Sequence, residues 1–305
     1  NEIKIKDLKF NRKFQIVDLN EITLNYIDLN RENNNLKLKK ESKNFILTGS
    51  FFNADNLIDS LINDEDKNEK KWIEKKFNLL IDVNRLKLDD KFYLKNFNGN
   101  LLIEDFGLKN VNLIGNFSNN KQLKFTINNE ANKKVTTLFV DEAETIVKRY
   151  KFIKGFEGGS LDLYSIKNGD ISDTTIKIYE FKLKELPLLT KILTLASLQG
   201  IADILSGEGI SFDEFEMNFK NQKKLMTINE IYAIGPAISI LMDGYFEKDK
   251  IISLRGTLVP ATTINKAIGS IPILGKILVG SKTGEGVFGV SFKIKGPSKN
   301  LETTV

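Results

Sequence analysis

The strongest constraint on this chain is a period of two. In "EFEMNFK" the apolar residues Phe215, Met217 and Phe219 alternate with Glu216 and Asn218. In "AISILMDGYF" Ile238, Ile240 and Met242 alternate with other residues in the same way. Successive strand side chains point to opposite sides, so this pattern requires a sheet with one apolar and one polar face. Short segments of this texture recur along the chain at 20–29, 43–52, 108–117, 121–130, 160–170, 174–183, 212–221, 223–234, 236–247 and 250–259, punctuated by Asn, Asp and Gly. The joins "KNGD", "KNQKK" and "EKDK" read as hairpin turns. Adjacent hairpins predict an antiparallel meander.

Helical signals are few. In "NADNLIDSLI" (53–62) Ala54, Leu57, Ile58 and Leu61 fall at i, i+3, i+4, i+7, with Asn53 as the cap. "DEAETIVKRY" (141–150) carries acids first and Lys148 and Arg149 last, which suits the helix dipole. "ELPLLTKILTLASLQGIADIL" (185–205) is apolar over much of its circumference, with Pro187 at its start and Gly200 as a break. "GTLVPATTINKAIGSIPILGKILVG" (256–280) divides into a strand end, a helix from Thr262 and a second helix from Pro272 to Gly280. Gly49, Phe51, Ala54, Leu57 and Leu61 share their spacing with Gly256, Leu258, Ala261, Ile264 and Ile268. A strand, a corner and a short helix is therefore expected as a unit used repeatedly.

Composition removes most chemistry. The 305 residues contain neither cysteine nor histidine, which excludes disulfides, thiolate or imidazole metal sites, and histidine- or cysteine-based catalysis. The net charge of +5 admits an acidic partner, but the basic residues are nearly all lysine. Arginine supplies the planar fork suited to phosphates and bases, so nucleic acid is not expected as a partner. Asp203, Glu208, Asp213 and Glu214 surround a glycine turn from which an acid/base pair can be drawn, although a polar helix-to-strand turn accounts for them. No phosphate loop or nucleophile elbow is present. The expectation is a non-enzyme with no catalytic residue, no metal and no cofactor. A chain that starts at Asn1 and stops after "NLETTV" reads as a piece of a longer protein, so a missing leader or anchor carries no weight.

A sheet with one apolar face must cover it. A closed sandwich does so with protein, and an open groove does so with acyl chains; both alternate identically. Three stretches bear on the choice: 141–165, "DEAETIVKRYKFIKGFEGGSLDLYS"; 186–215, "LPLLTKILTLASLQGIADILSGEGISFDEF"; and 254–300, from "LRGTLVPATTINKAIG" to "VSFKIKGPSKN". In order and spacing they resemble the C-terminal region of the AsmA-like family, in its large YhdP-type envelope members. The likeness covers 141–305 in register and 1–140 only loosely, and the tail "LETTV" departs from it. It implies a mainly β fold, an elongated curved antiparallel sheet forming an open apolar groove with a few short amphipathic helices. It also implies two segments, a 1–140 β-groove segment and a 141–305 C-terminal region with helices near 141–150, 186–205 and 261–280. Phospholipid would move along the groove through the periplasm, bridging inner and outer membranes. An inner-membrane anchor would lie upstream, and membrane contact would fall at the C-terminal end. The alternative is a structural or assembly protein of the envelope with a closed β core.

Parity assigns the groove lining to Phe215, Met217, Phe219, Ile238, Ile240 and Met242. Leu188, Ile192 and Leu195 are added from the apolar helix. Ile264, Ile268, Ile271, Leu274, Ile277 and Leu278 are expected on helices that end the groove or touch the membrane.

Overall fold

The computed structural model describes residues 1–305 except 13–15, 43, 59–75, 105–106, 131–132, 150–153, 186, 199, 201–202, 204–206, 261–288 and 298–299. The chain is mainly β with a few short helices, as its periodicity requires. It divides into two compact units, Asn1–Thr145 and Ile146–Val305.

The first unit holds β1 (Glu2–Lys6), β2 (Lys9–Phe10), β3 (Ile16–Asp18), β4 (Glu21–Ile27), β5 (Asn33–Glu41), β6 (Asn44–Asn53), β7 (Phe77–Lys87), β8 (Tyr93–Glu104), β9 (Gly107–Asn116), β10 (Gln122–Glu130) and β11 (Lys133–Val140). Nine of them pair in the order β1-β4-β5-β6-β7-β8-β9-β10-β11, while β2 and β3 form a separate ribbon. One pairing departs from the expected meander: β6 and β7 are parallel. A parallel pair needs a connection that returns the chain to the same end of the sheet, and residues 54–76 supply its length. That connection opens with helical backbone over 55–58, where the Asn53 side chain accepts the Asp55 amide at 3.1 Å, the capping expected of it.

The corner beside this cap is polar and closed on itself. Asp28 accepts from the backbone of Asn30 and Glu32 and from the side chains of Asn34 and Asn53. Lys87, only 4% exposed, reaches Glu32 at 2.9 Å. Burial works to deprotonate Lys87, but hydrogen bonds to Glu32 and Asp90 overcome it and hold its pKa above the ordinary lysine value.

The second unit holds β12 (Lys154–Asn168), β13 (Ile171–Glu185), β14 (Ile210–Gln222), β15 (Leu225–Ile234), β16 (Ile238–Glu247), β17 (Ile251–Pro260), β18 (Val290–Gly296) and β19 (Glu302–Thr304). Every neighbour pair is antiparallel and in chain order. The three predicted hairpin turns fall at 169–170, 223–224 and 248–250.

The helix predicted at 141–150 is shorter than its periodicity implies, and the one predicted at 185–205 is interrupted just before Gly200, with helical backbone again at Gly200 and Asp203. α1 is a single turn, Glu144–Val147, within the predicted 141–150. The bonds flanking it, Thr145 to Glu142 and Arg149 to Ile146, span three residues, so the turn tightens instead of propagating. α2 runs Pro187–Leu195 and stops before Gly200. Ser197 adopts φ 59, Leu198 donates to the Leu193 carbonyl, and Ser197 donates to Thr194. This six-to-one and five-to-two pair is a Schellman cap, here achieved without glycine. The strand-to-helix corner thus recurs after β6, β11 and β13. The expected copy at 256–268 has its strand in β17, and its helical half lies outside the described residues.

Two glycines of that pattern are fixed by crowding. A Cβ on Gly256 would stand 2.6 Å from Met242 Cγ and 2.7 Å from Phe292 Cζ, and one on Gly49 would stand 2.8 Å from Leu36 Cδ2. Neighbouring side chains lie across both positions, so only glycine fits without displacement.

Packing within the second unit is graded along its strands. Ile238 and Leu258 are fully buried, whereas Ile240, on the same face, keeps part of its surface in solvent. Ile238→Ala is expected to cost about 2–5 kcal/mol and Ile240→Ala less than about 2 kcal/mol, measured as the shift of the urea unfolding midpoint of the full chain. Equal costs would contradict this grading.

Candidate functional site: a two-faced sheet

Hydrogen-bond register brings the alternating residues of separate strands into rows. In the second unit, Leu163, Ile176, Met217, Ile231, Met242, Gly256 and Phe292 stand opposite one another in a row running from β12 to β18. A parallel row joins Leu161, Ile178, Phe215, Ala233, Ile240, Leu258 and Val290. A third passes through Phe219, Ile228, Gly244, Leu254 and Ile294. The two sequence-assigned triples therefore occupy one face. Phe215, Met217, Ile240 and Met242 are half-buried on it, and Phe219 and Ile238 are buried.

Strict alternation would break this face on β15, because Ile228 and Ile231 are three residues apart. The register shifts between them against both β14 and β16. This bulge adds one residue and returns Ile231 to the side of Ile228. Phe219, Ile228 and Ile231 form a buried cluster, with Met217, Met226 and Met242 packed around it. These are all three methionines of the chain.

On β13 the residue Glu180 has φ 52, and beyond it Phe181 takes up the apolar series. The Phe181 ring stacks between Phe156 at 5.3 Å and Phe212 at 5.4 Å, and meets Phe215 edge-on at 6.4 Å. Aromatic packing continues the apolar face where regular alternation ends.

The helix contributes differently from expectation. Leu189, Ile192 and Leu193 are its buried residues, while Leu188 and Leu195 are exposed. Of the three assigned positions only Ile192 faces protein, and α2 lies against β19. Ile264, Ile268, Ile271, Leu274, Ile277 and Leu278 lie outside the described residues.

The first unit repeats the design. Ile5, Ile22, Leu38, Leu47, Ile81, Gly99, Leu113, Phe125 and Leu138 form one row across all nine strands of its sheet. Most remain half-buried, and Ile5 at the edge is 49% exposed. Sequence reasoning singled out none of these as lining. The signal was there in the alternation, but selecting a face needs the register between strands.

The reverse face carries a polar network across three strands. Lys177, Glu216 and Tyr232 stand opposite one another on β13, β14 and β15. Lys177 lies 2.7 Å from Glu216. The Tyr232 hydroxyl lies 2.7 Å from Glu216 and 3.0 Å from Glu214, and Asn218 donates to Glu216 at 2.7 Å. Burial pushes the Glu216 carboxyl up, but the bonds from Lys177, Asn218 and Tyr232 prevail and hold it below its ordinary value. Burial, then the two carboxylates, push the Tyr232 phenol up. Of the acids around the glycine turn, Glu214 belongs to this network, whereas Asp203, Glu208 and Asp213 are exposed. Asp213 and Glu214 are consecutive on a strand and do not converge as an acid/base pair.

No family model matches the chain, and no curated protein or solved structure matches it. No helix of the described residues is long and apolar enough to cross a membrane.

Because Glu216 has a lowered pKa, its contribution to stability is full above the ordinary carboxylate range and is lost as pH falls through its folded value. Tyr232→Phe removes one donor and leaves Glu214 and Glu216 unbridged. The Glu216 pKa should then rise toward the ordinary value, and acid destabilisation should begin at higher pH than in wild type. A carboxyl-resolved NMR titration checks this; an unchanged Glu216 pKa would contradict it.

Proposed function

We propose that the chain binds phospholipid by its acyl chains along these apolar faces and carries it between the membranes of a Gram-negative envelope from a position in the periplasm. One observation supports the reading most: in each unit an in-register row of apolar residues, with a glycine where strands crowd, runs across at least seven neighbouring strands, and many of them keep contact with solvent. Exposing a methylene to water costs about 0.8 kcal/mol, so a tail of about fifteen methylenes costs about 12 kcal/mol to hold in water. A continuous apolar strip offsets that cost at every point of travel. Transfer along it breaks no bond, so the reading is of a non-enzyme without cofactor or metal. The resemblance of 141–305 to the AsmA-like family points the same way. It adds an anchor in the inner membrane and membrane contact at the C-terminal end.

The competing account is an envelope structural or assembly protein with a dry, closed β core. Half-buried Met217, Ile240 and Met242 argue against that account, since a closed core would remove them from solvent.

Native mass spectrometry of the full chain after gentle purification tests the proposal. Wild type should retain phospholipid. Ile240→Asp should cut the retained fraction at least tenfold with an unchanged far-UV circular dichroism spectrum, because a charge on an open face stays hydrated while repelling a tail. Lipid-free wild type, together with global unfolding of the variant, would instead indicate a closed core.

A further inference from the structure

The second unit is electrically asymmetric along its strands. Its three hairpin turns and the β18–β19 connection lie at one end, because the strands are antiparallel in chain order. At that end, among the described residues, Lys167, Lys220, Lys223, Lys224, Lys248, Lys250 and Lys295 outnumber Asp170, Asp173, Glu247, Asp249 and Glu302. Lys220 is bridged to Asp173 and Lys250 to Glu247. Lys223 and Lys224 are exposed and make no ion pair among the described residues. At the other end, among the described residues, Glu157, Glu180, Asp203, Glu208, Asp213 and Glu214 outnumber Lys182, Lys184 and Lys191.

The methionine cluster adjoins the lysine end. Met226 is two residues past Lys224, and it packs against the Phe219–Ile228–Ile231 cluster, as Met217 and Met242 do. One acyl tail spans about 15 Å, half of the roughly 30 Å hydrocarbon core of a bilayer, which is between four and five residues of strand at about 3.3 Å each. Measured from the Lys223–Lys224 turn, that length covers Met226 and Ile228 and approaches the Met217–Ile231–Met242 row. Methionine is unbranched and polarizable and adapts to differently shaped apolar partners.

We infer that this face seats a lipid in one orientation, its negatively charged headgroup at the Lys223–Lys224 end and its tail over the methionines, and that it prefers anionic to zwitterionic lipids. The inference rests on the lipid-binding reading above and adds polarity and headgroup class to it. Charge complementarity selects the occupant: the lysine excess at the hairpin-turn end attracts a net negative headgroup. A headgroup with no net charge gains no such bias.

The test uses delipidated full chain mixed with equal amounts of a phosphatidylglycerol and a phosphatidylcholine carrying the same tails, read by native mass spectrometry. Wild type should hold the glycerol lipid about tenfold over the choline lipid, the sum of a few exposed charge contacts. The double variant Lys223→Glu/Lys224→Glu should bring the ratio to about one while keeping total lipid bound. Equal retention of both lipids by wild type, or an unchanged ratio in the variant, overturns the orientation and headgroup preference while leaving lipid binding in place. Retention of neither lipid by wild type overturns the lipid-binding reading and this inference with it.

Discussion

Strand geometry gives every residue of a sheet one of two sides, and hydrogen-bond register decides whether the sides of neighbouring strands agree. In this protein they agree across the nine strands of the first unit's main sheet and from β12 to β18 in the second. The row from Ile5 to Leu138 in the first unit and the row from Leu163 to Phe292 in the second are the same arrangement made from different sequences. A slip of one residue at any pairing would send Met217 or Ile81 to the polar side. The bulge on β15, the left-handed Glu180 and the covered Gly49 and Gly256 all serve this agreement. Each sits where simple alternation or steric room would otherwise interrupt the apolar face.

The polar side has a complementary role. Lys177, Glu216, Tyr232 and Asn218 satisfy one another directly across three strands, and Thr126 and Thr137 do so in the first unit at 2.6 Å. Such pairs favour one register over its neighbours, because a slip would oppose a charge to an apolar side chain. Glu214 and Glu216 on this side are tied to lysine, tyrosine and asparagine in the arrangement of a structural network. On the apolar side, Met217, Met226 and Met242 around the Phe219–Ile228–Ile231 cluster are the most adaptable side chains.

Much of the fold was legible in the sequence. The ten segments read as strands are strands, and the turns at 169–170, 223–224 and 248–250 lie where "KNGD", "KNQKK" and "EKDK" predicted them. Short, strongly alternating segments bounded by Asn, Gly and Lys leave few other structures. Less legible were features set by neighbours. The parallel pairing of β6 with β7 depends on where the chain returns after residue 76. The early stop of α2 depends on Ser197 adopting a left-handed conformation that its residue type does not demand. The bulge at Asn229 and Glu230 places Ile231 on the apolar face, which counting back from the 223–224 turn would have missed by one residue. Within α2, a helix apolar on most sides, periodicity gave no means of separating buried Leu189 and Leu193 from exposed Leu188 and Leu195.

The account turns on which side of the sheet meets lipid. A photoreactive diazirine side chain introduced singly at Met217 or Met242, and separately at Lys177 or Tyr232, with irradiation of the full chain in the presence of phospholipid vesicles, measures this directly. Lipid adducts at Met217 and Met242, with none at Lys177 or Tyr232, are the predicted result. Adducts of equal yield on both faces, or none at the two methionines, would contradict it.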